Sequence, residues 1–379
     1  MLKPALRRAW RGGDTVQFGV TPAHAVKVGP MDIATGCFLE LLDGTRGMPL
    51  LREEARALAL SDRHVDSLVR RLMDAGLVDD VRAGGPEADA LRNRADTLER
   101  HRPDLASLSV VHPEPGGGTR RLAARRSMRV QVRGAGRVGA AVAAVLSGAG
   151  VGQVEVLDGG CTEPADVAPG GLPASAVGER RDMAARQLVR RSAPGPGPRA
   201  PGAAGGGPAG REPGLSLIVV APRDGFSGYV PDPGTAEPWI SSGTPHLYAG
   251  VMEATGFVGP LVLPGGTACA GCLHLNRRDR DQQWPRMLAQ WQSGRRGAVQ
   301  ACDLGLATAV AGLAAAHALA FLDGELPAST GARWEAALPL LDWRSERIGA
   351  HLDCSCGAAG HTEGVRSSGA GAAHDTMAG

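Results

Sequence analysis

One stretch, RVQVRGAGRVGAAVAAVLSGAGVGQVEVLD at 129–158, constrains this chain more than any other. A β-branched run leads into Gly134, Gly136 and Gly139 in a G-x-G-x-x-G spacing. An alanine-rich helical run follows, and then a second strand that ends at Asp158, 19 residues after Gly139. The first glycine allows a tight strand-to-helix turn. The second lets a phosphate approach the backbone, and the third lets the helix lie close on the strand. A carboxylate at the end of the second strand can accept hydrogen bonds from ribose hydroxyls. The pattern predicts a β-α-β unit of a Rossmann-like α/β fold, with Gly134, Gly136, Gly139 and Asp158 as candidate nucleotide contacts. The same glycines would also suit a chain in which they serve packing alone.

At 379 residues the chain has room for two or three domains. A net charge of +2 gives no general case for a nucleic-acid or acidic-membrane partner. The opening MLKPALRRAWRGGD is basic with no apolar run behind it, so it does not read as a secretory signal. No run of about 18 uninterrupted apolar residues suggests a membrane span. A cytoplasmic protein is expected, in which the seven cysteines are thiols or metal ligands rather than disulfides.

Residues 1–83 read as a small α+β module. TVQFGV and HAVKVG form a hairpin, followed by helices over MDIATGCFLELLDG, PLLREEARALAL and SDRHVDSLVRRLMDAGLVDD. The third has Ser61 or Asp62 as N-cap and Val65, Leu68, Leu72 and Leu77 as its apolar set. A hairpin with three short helices suggests a winged-helix-like module. Residues 84–127 read as a polar connector with one helix (EADALRNRADTLERH), an extended ASLSVVHP and an exposed loop PEPGGGTRRLAARR. The α/β domain spans 128–361. It is interrupted at about 192–214 by SAPGPGPRAPGAAGGGPAGREPG, which is too poor in apolar residues to order itself. LSLIVVA is a buried strand, HLYAGVMEATGFVGPLVLP two strands, ACDLGLATAVAGLAAAHALAFLDG a long buried helix, and ALPLLDWRSERIGAHLD a returning hairpin. Residues 362–379 form a polar, disordered tail.

Two close thiol pairs stand far apart in the chain, Cys269-x-x-Cys272 and Cys354-x-Cys356. Together they can complete one tetrahedral thiolate site, which points to a structural zinc with no open position. His274, His351 and His361 lie nearby as alternative ligands. Cys37 and Cys302 are expected as packing residues and Cys161 as an exposed thiol.

The glycine loop, Asp158 and the paired cysteine motifs together resemble the ThiF-like superfamily of ubiquitin-activating and MoeB-type adenylyltransferases, over about Arg129 to Gly357. CAGCLHLNRRDRDQQWP is similar to the ThiF-like leader-peptide-binding proteins of azole-forming (TOMM) ribosomal peptide clusters. The resemblance implies a ThiF core with a mixed sheet and a four-cysteine zinc site. It also implies an N-terminal module that takes a peptide leader as an added strand.

Adenylating members use ATP and magnesium, and here the text departs from their pattern. Gly160 replaces a second acid after Asp158. Asp166 stands where an asparagine is usual, and Pro169 where a phosphate-binding arginine is usual. Arg181 stands at the place of a lysine. Val220 and Arg223 fall on the magnesium-binding acid positions, with Asp224 one place off. An arginine is not an equivalent of the lysine it replaces.

Three readings follow. The leading one is a non-adenylating binder of a leader peptide or small protein. It would dock a partner such as a YcaO-type cyclodehydratase, with peptide contacts at Val26, Val28, His64 and Arg71 and with two copies able to pair through the sheet. The second is an active ATP-dependent adenylyltransferase acting on a small-protein C-terminus. The third, a DNA-reading winged helix, is opposed by Asp66, Asp74, Asp79 and Asp80 around Arg70 and Arg71, which would repel phosphate.

Overall fold

The structure is a computed structural model describing residues 1–80, 82–195, 214–293 and 299–360. The expected disordered insertion falls mostly outside these residues; the polar tail and His361 fall wholly outside them. Two compact units divide the chain after Arg126.

The first unit carries an antiparallel sheet in the order β1 (Arg8–Trp10), β2 (Val16–Phe18), β3 (Val26–Val28). The expected hairpin is β2–β3. The additional strand β1 comes from the basic opening segment, and all three of its residues are exposed. Helices α1 (Ile33–Glu40), α2 (Met48–Ala57) and α3 (Asp62–Asp74) follow. Asp32 caps α1 by accepting from Thr35 N–H, and Ser61 caps α3 by accepting from His64 N–H. Val65, Leu68 and Leu72 from α3 and Leu77 beyond it are buried against Val16, Phe18, Val28 and Phe38. Cys37 does not join them. Thr35, Phe38 and Leu39 take the inner face of α1, and Cys37 is exposed, correcting the packing role expected for it.

The helix expected over EADALRNRADTLERH is present but broken into α4 (Pro86–Arg92) and α5 (Ala95–Arg100), and the segments expected to be extended or looped are helical instead, as α6 (Arg102–Val111) and α7 (Gly117–Arg125). ASLSVV lies in α6 and GGTRRLAAR is α7. Leu108, Leu122 and Ala123 bury a small core with Leu91.

The second unit is a seven-stranded mixed sheet. In chain order its strands are β4 (Arg129–Arg133), β5 (Gln153–Leu157), β6 (Leu217–Val220), β7 (His246–Met252), β8 (Thr255–Val262), β9 (Ala332–Ala337) and β10 (Arg344–Arg347). In space the order is β10-β9-β8-β7-β6-β4-β5. The β5, β4, β6 and β7 pairings are parallel and those from β7 to β10 antiparallel. Between the strands run α8 (Arg137–Gly148), α9 (Arg181–Ser192), α10 (Phe226–Tyr229), α11 (Pro233–Ser241), α12 (Ala270–Arg280), α13 (Trp284–Ser293) and α14 (Leu304–Leu322).

β6 is buried on both sides, as a continuous LIVV run in a covered parallel strand should be. Its side chains alternate. Leu217 and Val219 join a core with α8 and α14, while Ile218 and Val220 join a second core with Trp239, Tyr248, Cys269 and Cys272. Small residues let α8 and α14 pack closely on the first face. Among the described residues, α14 alone is long and apolar enough to cross a membrane. Leu306, Val310, Ala314 and Leu322 bury its inner face in the core instead.

Candidate functional site

The glycine turn has the geometry its spacing predicts. Gly134 has φ +112°, and a Cβ there would stand 2.0 Å from the Ala221 carbonyl oxygen at the end of β6. A Cβ on Gly139 would stand 2.1 Å from the Gly134 oxygen. Neither position admits a side chain, so the turn between β4 and α8 is fixed by contact. Asp158 follows β5 and accepts from Ala135 N–H at 2.6 Å.

What faces this turn is a cluster of paired charges. Arg181, at the start of α9, has Nε 3.5 Å from Asp158 Oδ1 and Nη1 3.3 Å from Asp166 Oδ2, and its Nη2 donates to the Gly159 carbonyl at 2.9 Å. Arg223, just beyond β6, donates through Nε to Asp166 Oδ1 at 2.5 Å and pairs through Nη2 with Glu163. The Asp166 side chain is only 2% exposed. Asp166 also accepts from the Glu163 backbone N–H at 2.9 Å, which holds the 163–166 turn in shape. Arg137, the first residue of α8, donates to the Ala165 and Cys302 carbonyls at 2.7 and 2.8 Å. Gly160 belongs here too, because a Cβ on it would meet Arg181 Nη2 at 2.7 Å. Val220 is buried. Asp224 keeps one carboxylate oxygen buried with no hydrogen-bond partner.

As candidate groups for ATP and magnesium, these residues are largely engaged with one another. The carboxylate that would take the ribose is engaged by Ala135 and faces Arg181. The guanidinium of Arg223, at a position where the family resemblance places a magnesium-holding acid, has acids for partners. Asp224 keeps one buried carboxylate oxygen without a partner. The sequence shows each departure separately; that Asp166, Arg181 and Arg223 converge was not legible in it.

The second cluster is the four thiols. Cys269 is the N-cap of α12 and Cys272 lies in its first turn, while Cys354 and Cys356 sit in the loop after β10. The sulfurs lie 3.5 Å apart for Cys269–Cys354 and for Cys272–Cys356, and 4.0 Å apart for Cys269–Cys272. A tetrahedral zinc with bonds of about 2.3 Å separates its sulfurs by roughly 3.8 Å, so the donor set fits. A Cβ on Gly271 would stand 2.9 Å from Cys354 Sγ, so the glycine in C-A-G-C admits the second pair, a role that nothing in the local sequence marks. The hydrogen bond from the Cys269 thiol lowers the Cys272 pKa, while Cys269 is pushed up by donating it. Burial pushes Cys354 up to about 11. His274 is held instead by the Pro231 carbonyl, and His351 pairs with Asp279 at 2.8 Å.

The expected peptide contacts lie in the first unit. Val28 is buried and Val26 half-buried, so both side chains serve its core, and it is the outer backbone edge of β3 that has no partner strand among the described residues. His64 Nε2 lies 3.0 Å from Thr35 Oγ1, and Arg71 donates to the Gly29 carbonyl at 2.5 Å. Leu68 is core. Cys161 is exposed as expected, and Cys302 is half-buried against the core.

The mixed sheet and the glycine turn give the second unit a ThiF-like α/β fold, with a four-thiol cluster attached to it. A model of the ThiF family matches residues 113–196. Escherichia coli MccB with AMPCPP and the peptide MccA resembles this chain with a TM-score of 0.67 at 14% identity, over 94% of this chain and 99% of MccB. The Microcin C7 biosynthetic enzyme MccB with N-formylated MccA gives 0.64 at 15% identity, over 94% and 99%. PaaA gives 0.64 at 16% identity, over 91% and 99%. No curated protein sequence matches the chain.

Proposed function

We propose that this chain is a non-adenylating, ThiF-like recognition protein of the cytoplasm. It binds a precursor leader peptide and docks a modifying enzyme such as a YcaO-type cyclodehydratase. The observation that carries the reading is Arg223. It stands where the family resemblance places a magnesium-holding acid, and it is committed to Asp166 at 2.5 Å. Adenylation spreads negative charge over a transferring phosphoryl group, and the metal and cationic clamps are most of what a protein supplies there. Without the metal's carboxylate the loss is several kcal/mol, on the order of a thousandfold in rate or more.

The winged-helix-like first unit is the peptide reader on this view. The free edge of β3 can take an extended segment through main-chain hydrogen bonds, with His64 and Arg71 flanking it. Support comes from MccB, whose structures include its peptide MccA. The four thiols hold a structural zinc that ties α12 to the C-terminal loop, and two copies pair as in ThiF-like relatives.

A second reading, an active adenylyltransferase, is favoured by the intact glycine turn and by the MccB structures with ATP and AMPCPP. ATP–pyrophosphate exchange decides between them. We expect no exchange above background, together with saturable binding of a fluorescent leader peptide that weakens when a proline replaces Lys27 on β3. Exchange at ordinary enzymatic rates would establish the second reading and remove the first.

A further inference from the structure

We infer that the nucleotide cleft is sealed from within, with Arg223 as the seal, so that the chain excludes nucleotide altogether rather than binding it unproductively. The inference rests on the non-adenylating reading and gives it a physical cause. A Cβ on Gly136 would meet Cα and Cγ of Arg223 at 3.2 Å. The space that the second glycine of the loop keeps open for a phosphate therefore holds the stem of Arg223. The guanidinium continues across to Asp166 and Glu163, and the loop bearing those acids is strapped to the start of α8 by Arg137. Behind it, Arg181 joins Asp166 to Asp158, so the ribose acid belongs to the same network.

Arg181 and Arg223 face three acids, Asp158, Glu163 and Asp166, and Arg137 beside them is bonded to two backbone carbonyls, so three cations and three acids leave the cluster without net positive charge. A polyanionic nucleotide meets no guanidinium there that is not already hydrogen-bonded within the protein. To enter, it must displace Arg223 from a carboxylate that is 2% exposed. Breaking such a pair leaves the buried Asp166 with Arg181 as its remaining cation and should weaken binding by about 100-fold or more. The pairing also argues against simple decay. A cation stands where an acid is usual and an acid where an amide is usual, and the two meet each other.

The test is calorimetric titration of the full chain with MgATP. We expect no binding by the wild type up to about 1 mM, a gain of at least about 30-fold in Arg223→Ala, and continued exclusion in Arg223→Lys. Wild-type binding tighter than about 100 μM, or no gain in Arg223→Ala, overturns the inference. If Arg223→Ala does not fold, Glu163→Ala decides, since Glu163 is the more exposed of the two acids that hold Arg223: a measurable gain supports the seal and none overturns it. Pyrophosphate exchange separates the two claims. Nucleotide binding without exchange removes the seal and leaves the recognition reading; a sealed chain that ignores every leader peptide does the reverse.

Discussion

His246 ties one side chain to the acid stability of the second unit. It is fully buried on β7, with Nδ1 3.2 Å from the Thr244 carbonyl and its ring edge-on to Trp239 and Tyr248. Its Nε2 has no partner, and burial lowers its pKa to about 4. Because the folded pKa lies below the unfolded value of about 6.5, the unfolded chain binds the proton more readily. The stability is therefore present above pH 6.5 and is lost as pH falls from about 6.5 toward 4, by roughly 3 kcal/mol in all. Urea unfolding of His246→Leu should show a correspondingly shallower acid limb than the wild type; an identical limb would clear His246. Gly139 is as exacting for steric reasons. Gly139→Ala would drive a methyl into the Gly134 carbonyl, with no flexible side chain to give way. It should cost about 3 kcal/mol or more by chemical denaturation. That role was readable from the glycine spacing. The contact between Asp166 and Arg223 was not, because 57 positions separate them and nothing local signals that two unusual residues will meet.

Helices show where local pattern misleads. PEPGGGTRRLAARR looks like a loop because of its proline and glycines. Yet Gly116, at φ +72°, only introduces α7, and the TRRLAAR that follows is a good helix former with Leu122 and Ala123 to bury. In α6, Pro103 sits in the first turn, where a missing N–H costs nothing, and burial of Leu108 outweighs the β-branched pair Val110 and Val111. β1 was hidden because three exposed residues carry no alternation of burial. The α/β core was more legible, since β6 and α14 are apolar runs of distinct length. On α14, Gly312 faces open space. Gly312→Ala should therefore raise stability by about 0.5–1 kcal/mol, the reverse of Gly139→Ala, as thermal melts of the two variants will show.

At the scale of the molecule, the thiol cluster gathers residues from distant parts of the chain. It was legible because each half is a local cysteine pair whose chemistry demands company, whereas the strand edge and module contacts proposed for the peptide carry no such mark. Cys354→Ser should release the bound zinc from about one ion per chain to near none and lower the melting temperature. Unchanged metal content would remove the zinc assignment. The order of synthesis gives this cluster a further meaning. Cys269 and Cys354 are 85 positions apart, so at about 5–20 residues per second the first thiol pair leaves the ribosome roughly 4–17 s before its mates. During that wait the first pair of thiols stands without the second, open to oxidants and to competing ions, so oxidising growth conditions should lower the yield of sound protein.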